Sequence, residues 1–314
     1  MFVIDSVKVF APASVANLAC GFDVLGLALE SPGDEIIARL NPTRIGLTIS
    51  AITGDEGRLP WDIEFNTAGY AAHRFLEAIG QANLGIDLEI HKKMPFGSGL
   101  GSSAASAVGA VYAVGQLLGG EWSKKDLLPF AVLGEQQADG AYHADNVAPS
   151  LFGGIVLIRD NQTLDVLQLP VPGDLTVAVI HPQIEILTKE ARSILSSSVP
   201  LRDMILQTGN MGSFLAGLYT NDYDRIHRSV MDVVIEPQRA KQIPHFYTVK
   251  SIAEKSGALG CSISGSGPSI FAFCRGPEHA EQLAQRMADV YSAHGIAVDV
   301  FSGSINHVGV QTIG

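Results

Sequence analysis

Basic residues are scarce in this chain. Lysine and arginine together number 21 against 32 aspartates and glutamates, giving a formal net charge of -11 at pH 7. No stripe of Lys and Arg offsets that balance, which argues against a nucleic-acid binder. Cysteine is scarcer still. Cys20, Cys261 and Cys274 lack the spacing of a zinc site and leave an odd thiol, so buried, reduced cysteines of a cytoplasmic enzyme are the expectation. The opening run Met1–Lys8 has no basic leader, and Asp5 and Lys8 interrupt its apolar residues; it reads as a strand rather than a signal peptide. From Met94 to Gly120 there is no charged residue. The glycines at the start of that run and its many Ala and Ser residues fit a buried helix better than a membrane span. No transmembrane segment is expected.

What remains is the composition of a folded protein. The 314 residues are 46% hydrophobic and 17% charged, a globular balance with enough chain for two domains and a large core. The most informative stretch is Pro95-Phe96-Gly97-Ser98-Gly99-Leu100-Gly101-Ser102-Ser103-Ala104-Ala105. Glycines at alternate positions let the backbone turn sharply and present successive N–H groups. The run empties into an Ala-rich helix, with Ser102 or Ser103 placed to cap it. Bare amides feeding the positive end of a helix dipole hold phosphate well. The plainer alternative is a flexible Gly/Ser loop before a core helix. A Walker loop is excluded because no lysine follows any of these glycines. A dinucleotide fingerprint is excluded because Ser102 stands where its third glycine belongs. The preceding Ile86–Lys93 alternates apolar and charged residues like a half-exposed strand. Lys92 and Lys93 flank the loop, and a solvated strand end explains them as well as a phosphate contact does.

The glycine run resembles the phosphate-loop motif of the GHMP kinases, which act on galactose, homoserine, mevalonate and phosphomevalonate. Ala11-Pro12-Ala13-Ser14-Val15-Ala16-Asn17-Leu18-Ala19-Cys20-Gly21-Phe22-Asp23 resembles the first motif of that superfamily in its homoserine-kinase branch, and Gly260–Ser269 resembles the third. Their order and wide spacing span most of the chain. The resemblance implies an α+β, two-domain GHMP kinase fold: an N-terminal domain like ribosomal protein S5 domain 2 over 1–170, and a ferredoxin-like C-terminal domain over 171–314.

The local pattern agrees with mixed α+β order rather than a doubly wound sheet. Strands are expected near Lys8–Ala11, Glu35–Leu40, Leu47–Ile52, Ile155–Ile158, Leu175–Ile180, Ile270–Phe273 and Ala297–Phe301. Helices are expected over Thr67–Ile79, from Ser123, around Leu201–Tyr219 and Tyr223–Val234, and over Pro277–Ala293. Pro170–Asp174, with two prolines and a glycine, is the best linker.

Phosphoryl transfer from ATP needs a cation to neutralise the phosphates, and Mg2+ takes few ligands from protein. The resemblance assigns Pro95, Gly97, Ser98, Gly99, Leu100, Gly101, Ser102 and Ser103 to ATP, and Ser103 with Glu135 to the metal. A helix cap and an exposed helical carboxylate are the structural alternatives for those two. Asn66 is the candidate for the adenine pocket. In Gly140–Ser150, four hydrogen-bonding side chains crowd together, which a surface turn also explains. The resemblance places the acceptor hydroxyl there. Local sequence leaves Asp145 and Asn146 open; the branch pattern favours Asn146 for the direct contact and Asp145 in support. Arg192 and Arg239 match the carboxylate-binding arginines of that branch, the charge type a planar fork suits. Asn17, Asp23, His143, Thr188 and Gly265 complete the implied acceptor site. The expected reaction is ATP-dependent phosphorylation of L-homoserine to O-phospho-L-homoserine, in threonine biosynthesis, by a homodimer. The alternatives are another GHMP small-molecule kinase of mevalonate or shikimate type, or a catalytically silent nucleotide- or metabolite-binding protein.

Overall fold

The computed structural model describes residues 5–314. The first half runs β1 (Ser6–Ala16), β2 (Leu25–Leu40), β3 (Leu47–Thr53), α1 (Thr67–Ala78), β4 (Ile86–His91), α2 (Ser102–Leu117), α3 (Lys124–Asp139), α4 (Val147–Phe152), β5 (Ile155–Asp160) and β6 (Asp165–Leu169). The second half runs β7 (Leu175–Pro182), α5 (Thr188–Ser193), α6 (Leu201–Thr220), α7 (Tyr223–Ser229), α8 (Glu236–Arg239), α9 (Phe246–Lys255), β8 (Gly260–Ile263), β9 (Ile270–Arg275), α10 (Pro277–Ser292), β10 (Val298–Ser304) and β11 (Gln311–Thr312).

Among the described residues the first sheet has the path β11-β1-β2-β4-β3, with β5 joining β2 and β6 joining β5. The second has the order β10-β7-β9-β8, antiparallel throughout. With α10 between β9 and β10, and helices between β7 and β8, this is the βαββαβ ferredoxin-like arrangement. The linker Pro170–Asp174 falls between the two sheets. The chain then returns: β11 pairs with β1 in the first sheet.

Side-chain alternation explains how the second sheet is buried on both faces. On β7, Val177 and Val179 join the large core of the first half, together with Phe214, Phe271 and Phe273. Ala178 and Ile180 point the other way, into a core built from α9 and α10. Helix α10 presents Ala280, Leu283, Ala284, Met287 and Tyr291 to that core at helical spacing. Helix α2 is buried along most of its length, as its apolar, uncharged sequence requires. Among the described residues no helix is long and apolar enough to cross a membrane.

Several expected boundaries move. The strand near Lys8–Ala11 extends over Ser6–Ala16, and Met1–Ile4 of the expected N-terminal strand lie outside the described residues. Glu35–Leu40 is the second half of one strand beginning at Leu25. The helix expected to reach Val234 stops at Ser229, because Asp232 then binds the backbone N–H groups of Val234, Ile235 and Glu236 and starts a new turn. Neither Ser102 nor Ser103 caps α2: the cap position is Gly101, in the left-handed region, without a side-chain bond.

Phe75 on α1 is fully buried and meets Trp122 and Phe130 edge-on at 5.1 and 5.4 Å between ring centroids. Phe75→Ala is expected to destabilise the protein by about 3–5 kcal/mol, read as a lower urea midpoint with an unchanged slope.

Candidate active site

Three distant segments close on the glycine loop. Gly99 has φ +73, and a Cβ there would stand 2.4 Å from the Ser264 carbonyl oxygen. Gly101 has φ +67, and a Cβ there would stand 2.2 Å from Ser14 Oγ and 2.9 Å from Asn146 Oδ1. Both positions therefore demand glycine on conformation and on space. Hydrogen bonds hold the contact: Ser264 Oγ donates to Gly99 O at 2.7 Å, Ser269 N to Ser98 O at 3.2 Å, and Ser14 N to Leu100 O at 3.0 Å. The loop is thus clamped by β1 on one side and by the turn between β8 and β9 on the other.

Next to it lies a cavity of about 240 Å3. Gly97, Ser98, Gly99, Gly101, Ser102 and Ser103 line it, with Glu135, His143, Asn146, Thr188 and Gly265 around the rim. The Leu100 side chain turns instead into the core, and Pro95 borders a separate cleft behind the loop. Asn66 also lines the cavity, but as the cap of α1: its Oδ1 accepts from Ala68 N and Gly69 N while its Nδ2 donates to Pro60 O.

Ser103 Oγ donates to Glu135 Oε1 at 2.9 Å, and Glu135 is only 5% exposed. The carboxylate read on sequence as either a metal ligand or a surface group is therefore buried at the cavity. Among the described residues no group of three or more His, Cys, Asp and Glu side chains is arranged to hold a metal ion. One carboxylate and one hydroxyl make an all-oxygen set that suits a hard cation completing its shell with phosphate and water, not zinc.

Lys92 is the main residue whose setting the sequence did not reveal. Its ammonium is buried against Asp34 and donates to Ser102 O and Ser106 Oγ, both at 2.7 Å. Asp34 is fully buried and also accepts from Lys93 N at 2.9 Å. The pairing of β2 with β4 places Asp34 beside the end of β4. A cation thus sits beneath the first turn of α2, while Lys93 lies outside and pairs with Glu35.

On the rim, Ser14 Oγ donates to Asn146 Oδ1 at 2.9 Å, leaving the Asn146 amide N–H groups as donors. Asp145 lies behind, 2.7 Å from His143 Nδ1 and 2% exposed. Asn161, unremarked in the sequence, ties this segment to the first motif: Ala144 N donates to its Oδ1 at 2.9 Å, and its Nδ2 donates to Asp23 O at 3.2 Å.

Asn17, Asp23, Arg192 and Arg239 gather beyond the cavity wall and reach it through Gly265. The Gly265 carbonyl accepts from Asn17 Nδ2 at 3.1 Å and from Arg239 Nη1 at 2.7 Å. Asn17 Oδ1 accepts from Asp23 N at 3.0 Å. Arg192 makes a two-pronged pair with Asp23 at 2.9 and 2.8 Å, so two groups assigned separately on sequence meet each other here. The turn carrying them is strained, with φ values of 75, 42, 64 and 60 at Asn17, Leu18, Ala19 and Asp23. Arg239 is 3% exposed. Burial holds its guanidinium below the ordinary arginine value, and the like charge of Arg192 adds to the effect.

Family models for the GHMP kinases N terminal domain and the GHMP kinases C terminal domain match residues 66–154 and 202–293. The chain belongs to the GHMP kinases, a family of ATP-dependent small-molecule kinases. Mevalonate kinase of L. major, solved with R-mevalonate, shares that fold at 17% identity and TM-score 0.72, covering 96% of this chain and 98% of that one. Much nearer is the crystal structure of homoserine kinase from Cytophaga hutchinsonii, 51% identical, TM-score 0.96, covering 100% of this chain and 99% of that one. Homoserine kinase of Chlorobium phaeobacteroides (strain DSM 266) is 48% identical over 91% of this chain and 92% of that protein. That of Chlorobaculum tepidum is 43% identical over 97% of each. Within the superfamily, the chain falls among the homoserine kinases.

Lys92→Met leaves Asp34 buried without its cation and is expected to cost about 3–5 kcal/mol of stability. The double variant Lys92→Met/Asp34→Leu is expected to recover a large part of that loss in chemical denaturation.

Proposed function

We propose that this chain transfers the γ-phosphoryl group of ATP to the side-chain hydroxyl of L-homoserine, giving O-phospho-L-homoserine. The observation that carries the reading is a linked set of charged and polar groups beside a cavity lined by the glycine loop: Asn17 and Arg239 both bond to the Gly265 carbonyl at the cavity, and Asp23, tied to Asn17, pairs with Arg192. In this reading the amides of Gly97–Ser103 and the N-terminus of α2 hold the phosphates, with the Lys92–Asp34 pair bracing the first turn of α2 beneath them through Ser102 O and Ser106 Oγ. Ser103 and Glu135 are the residues that would hold Mg2+, which would supply positive charge to the phosphates.

Arg192 and Arg239 receive the carboxylate of the amino acid. Asp23, Asn17 and His143 meet its ammonium end, and Thr188 closes the rim. Asn146 donates to the acceptor hydroxyl oxygen and sets it in line with the γ-phosphorus, while Asp145 fixes His143. As the new O–P bond forms, the bond to the β,γ-bridging oxygen breaks and ADP leaves. Asn146 orients and does not deprotonate, so the hydroxyl proton passes to an oxygen of the transferring group. Residues 1–170 supply the nucleotide loop, and 171–314 supply both arginines. A homodimer and a cytoplasmic setting belong to the same reading; the buried free thiols of Cys20, Cys261 and Cys274 suit a reducing compartment.

With ATP and Mg2+, a panel of homoserine, mevalonate, galactose, shikimate, serine and threonine is expected to yield phosphate transfer chiefly to L-homoserine, read by phosphorus NMR or mass spectrometry. Galactose brings neither charge, and mevalonate and shikimate bring no ammonium, so each leaves site groups unpaired. Faster transfer to mevalonate or a sugar would overturn the substrate. For the metal, Glu135→Gln is expected to depress turnover at every Mg2+ concentration while leaving the melting temperature within a few degrees. Near-normal, Mg2+-dependent turnover in that variant would remove Glu135 from the role.

A further inference from the structure

The Phe22 ring lies beside the acceptor groups and makes no polar contact of its own. It is half-buried, on the strained turn directly before Asp23. Both arginines stand over it, Arg192 with its guanidinium carbon 5.5 Å and Arg239 with its guanidinium carbon 5.1 Å from the ring centroid. Two cations gathered over one ring repel each other. The aromatic face carries negative partial charge and attracts both. Each guanidinium is also tethered by hydrogen bonds: Arg192 by the Asp23 carboxylate, Arg239 by Gly265 O and, at 3.4 Å, by Ala191 O. The ring lies close to both, and the Asp23 carboxylate that binds Arg192 also attracts Arg239.

We infer that Phe22 is a positioning residue that determines specificity: its aromatic face sets the Arg192 and Arg239 guanidiniums at the spacing needed to address one carboxylate. This rests on the proposed reading of the two arginines as the carboxylate site. Phe22 does not line the cavity beside the glycine loop, so its effect falls on recognition of the charged end of the acceptor and not on the transfer step. An aliphatic side chain fills similar space but offers the cations no negative face, and the pair then relaxes apart.

The test compares kcat/KM for L-homoserine with that for its carboxamide, which keeps the hydroxyl and ammonium and lacks the negative charge. In Phe22→Leu and Phe22→Met the ratio is expected to fall about tenfold, between the sizes of an exposed and a desolvated cation–π contribution. Phe22→Tyr, which keeps the ring face, is expected to hold the ratio near the wild-type value. KM for ATP, kcat at saturating homoserine and the melting temperature are expected to stay near wild type in all three. A ratio unchanged in both aliphatic variants overturns the inference, as does a Tyr variant that loses the ratio as fully as Leu does. A wild-type enzyme that shows no preference for homoserine over the carboxamide overturns the carboxylate site itself, a result separable from either of the others.

Discussion

The geometry of the candidate site depends on one backbone contact, the approach of the turn between β8 and β9 to the glycine loop. Gly99 sits so close to Ser264 and Gly267 that no side chain fits between them. Ser264 and Ser269 then fasten the two segments by hydrogen bonds. Because Gly265 belongs to that turn, the same approach brings Asn17 and Arg239 to the cavity wall through its carbonyl. The two sheets could each fold as drawn and still produce no site if this contact were lost.

Electrostatics in this acidic protein are local. Its net charge is strongly negative, yet the glycine loop opens into a helix N-terminus, and the Lys92 ammonium beneath that helix is matched by the Asp34 carboxylate. The low dielectric around Lys92 and Asp34 makes their partnership strong and makes either one costly alone. Around Phe22 the opposite problem arises: Arg192 and Arg239 lie close enough to repel. Asp23, two carbonyl oxygens and an aromatic face hold them there.

The glycine loop was legible in the sequence because its function is written in consecutive residues. So were the Ala-rich helix that follows it, the amphipathic α10 and the twice-buried β7, each declared by a local pattern. The ferredoxin-like arrangement and the family came from resemblance, since periodicity gives elements and not their order in a sheet. The buried setting of Lys92 was not legible: its partner Asp34 lies on another strand, and the alternation of Ile86–Lys93 describes a half-exposed edge equally well. Nor was the Asp23–Arg192 pair, formed between residues 169 positions apart. The cap of α2 was misassigned because Ser102 and Ser103 are good capping residues by type, whereas Ser103 is occupied with Glu135. Short elements such as β6 and β8 carry too little period to be read, whereas α9 buries Phe246, Val249 and Ala253 at a helical spacing that the sequence does show.

The return of β11 to β1 has a consequence for how the protein is made. A chain emerging from the ribosome presents β1 first, and its outer edge finds its partner only after the whole second sheet has been synthesised. Until then that edge is a row of unpaired amides and carbonyls, the kind of surface that recruits strands from other molecules. The first sheet, which carries the glycine loop, is therefore completed last, and the nascent protein is most vulnerable to misassembly at the strand that was finished earliest.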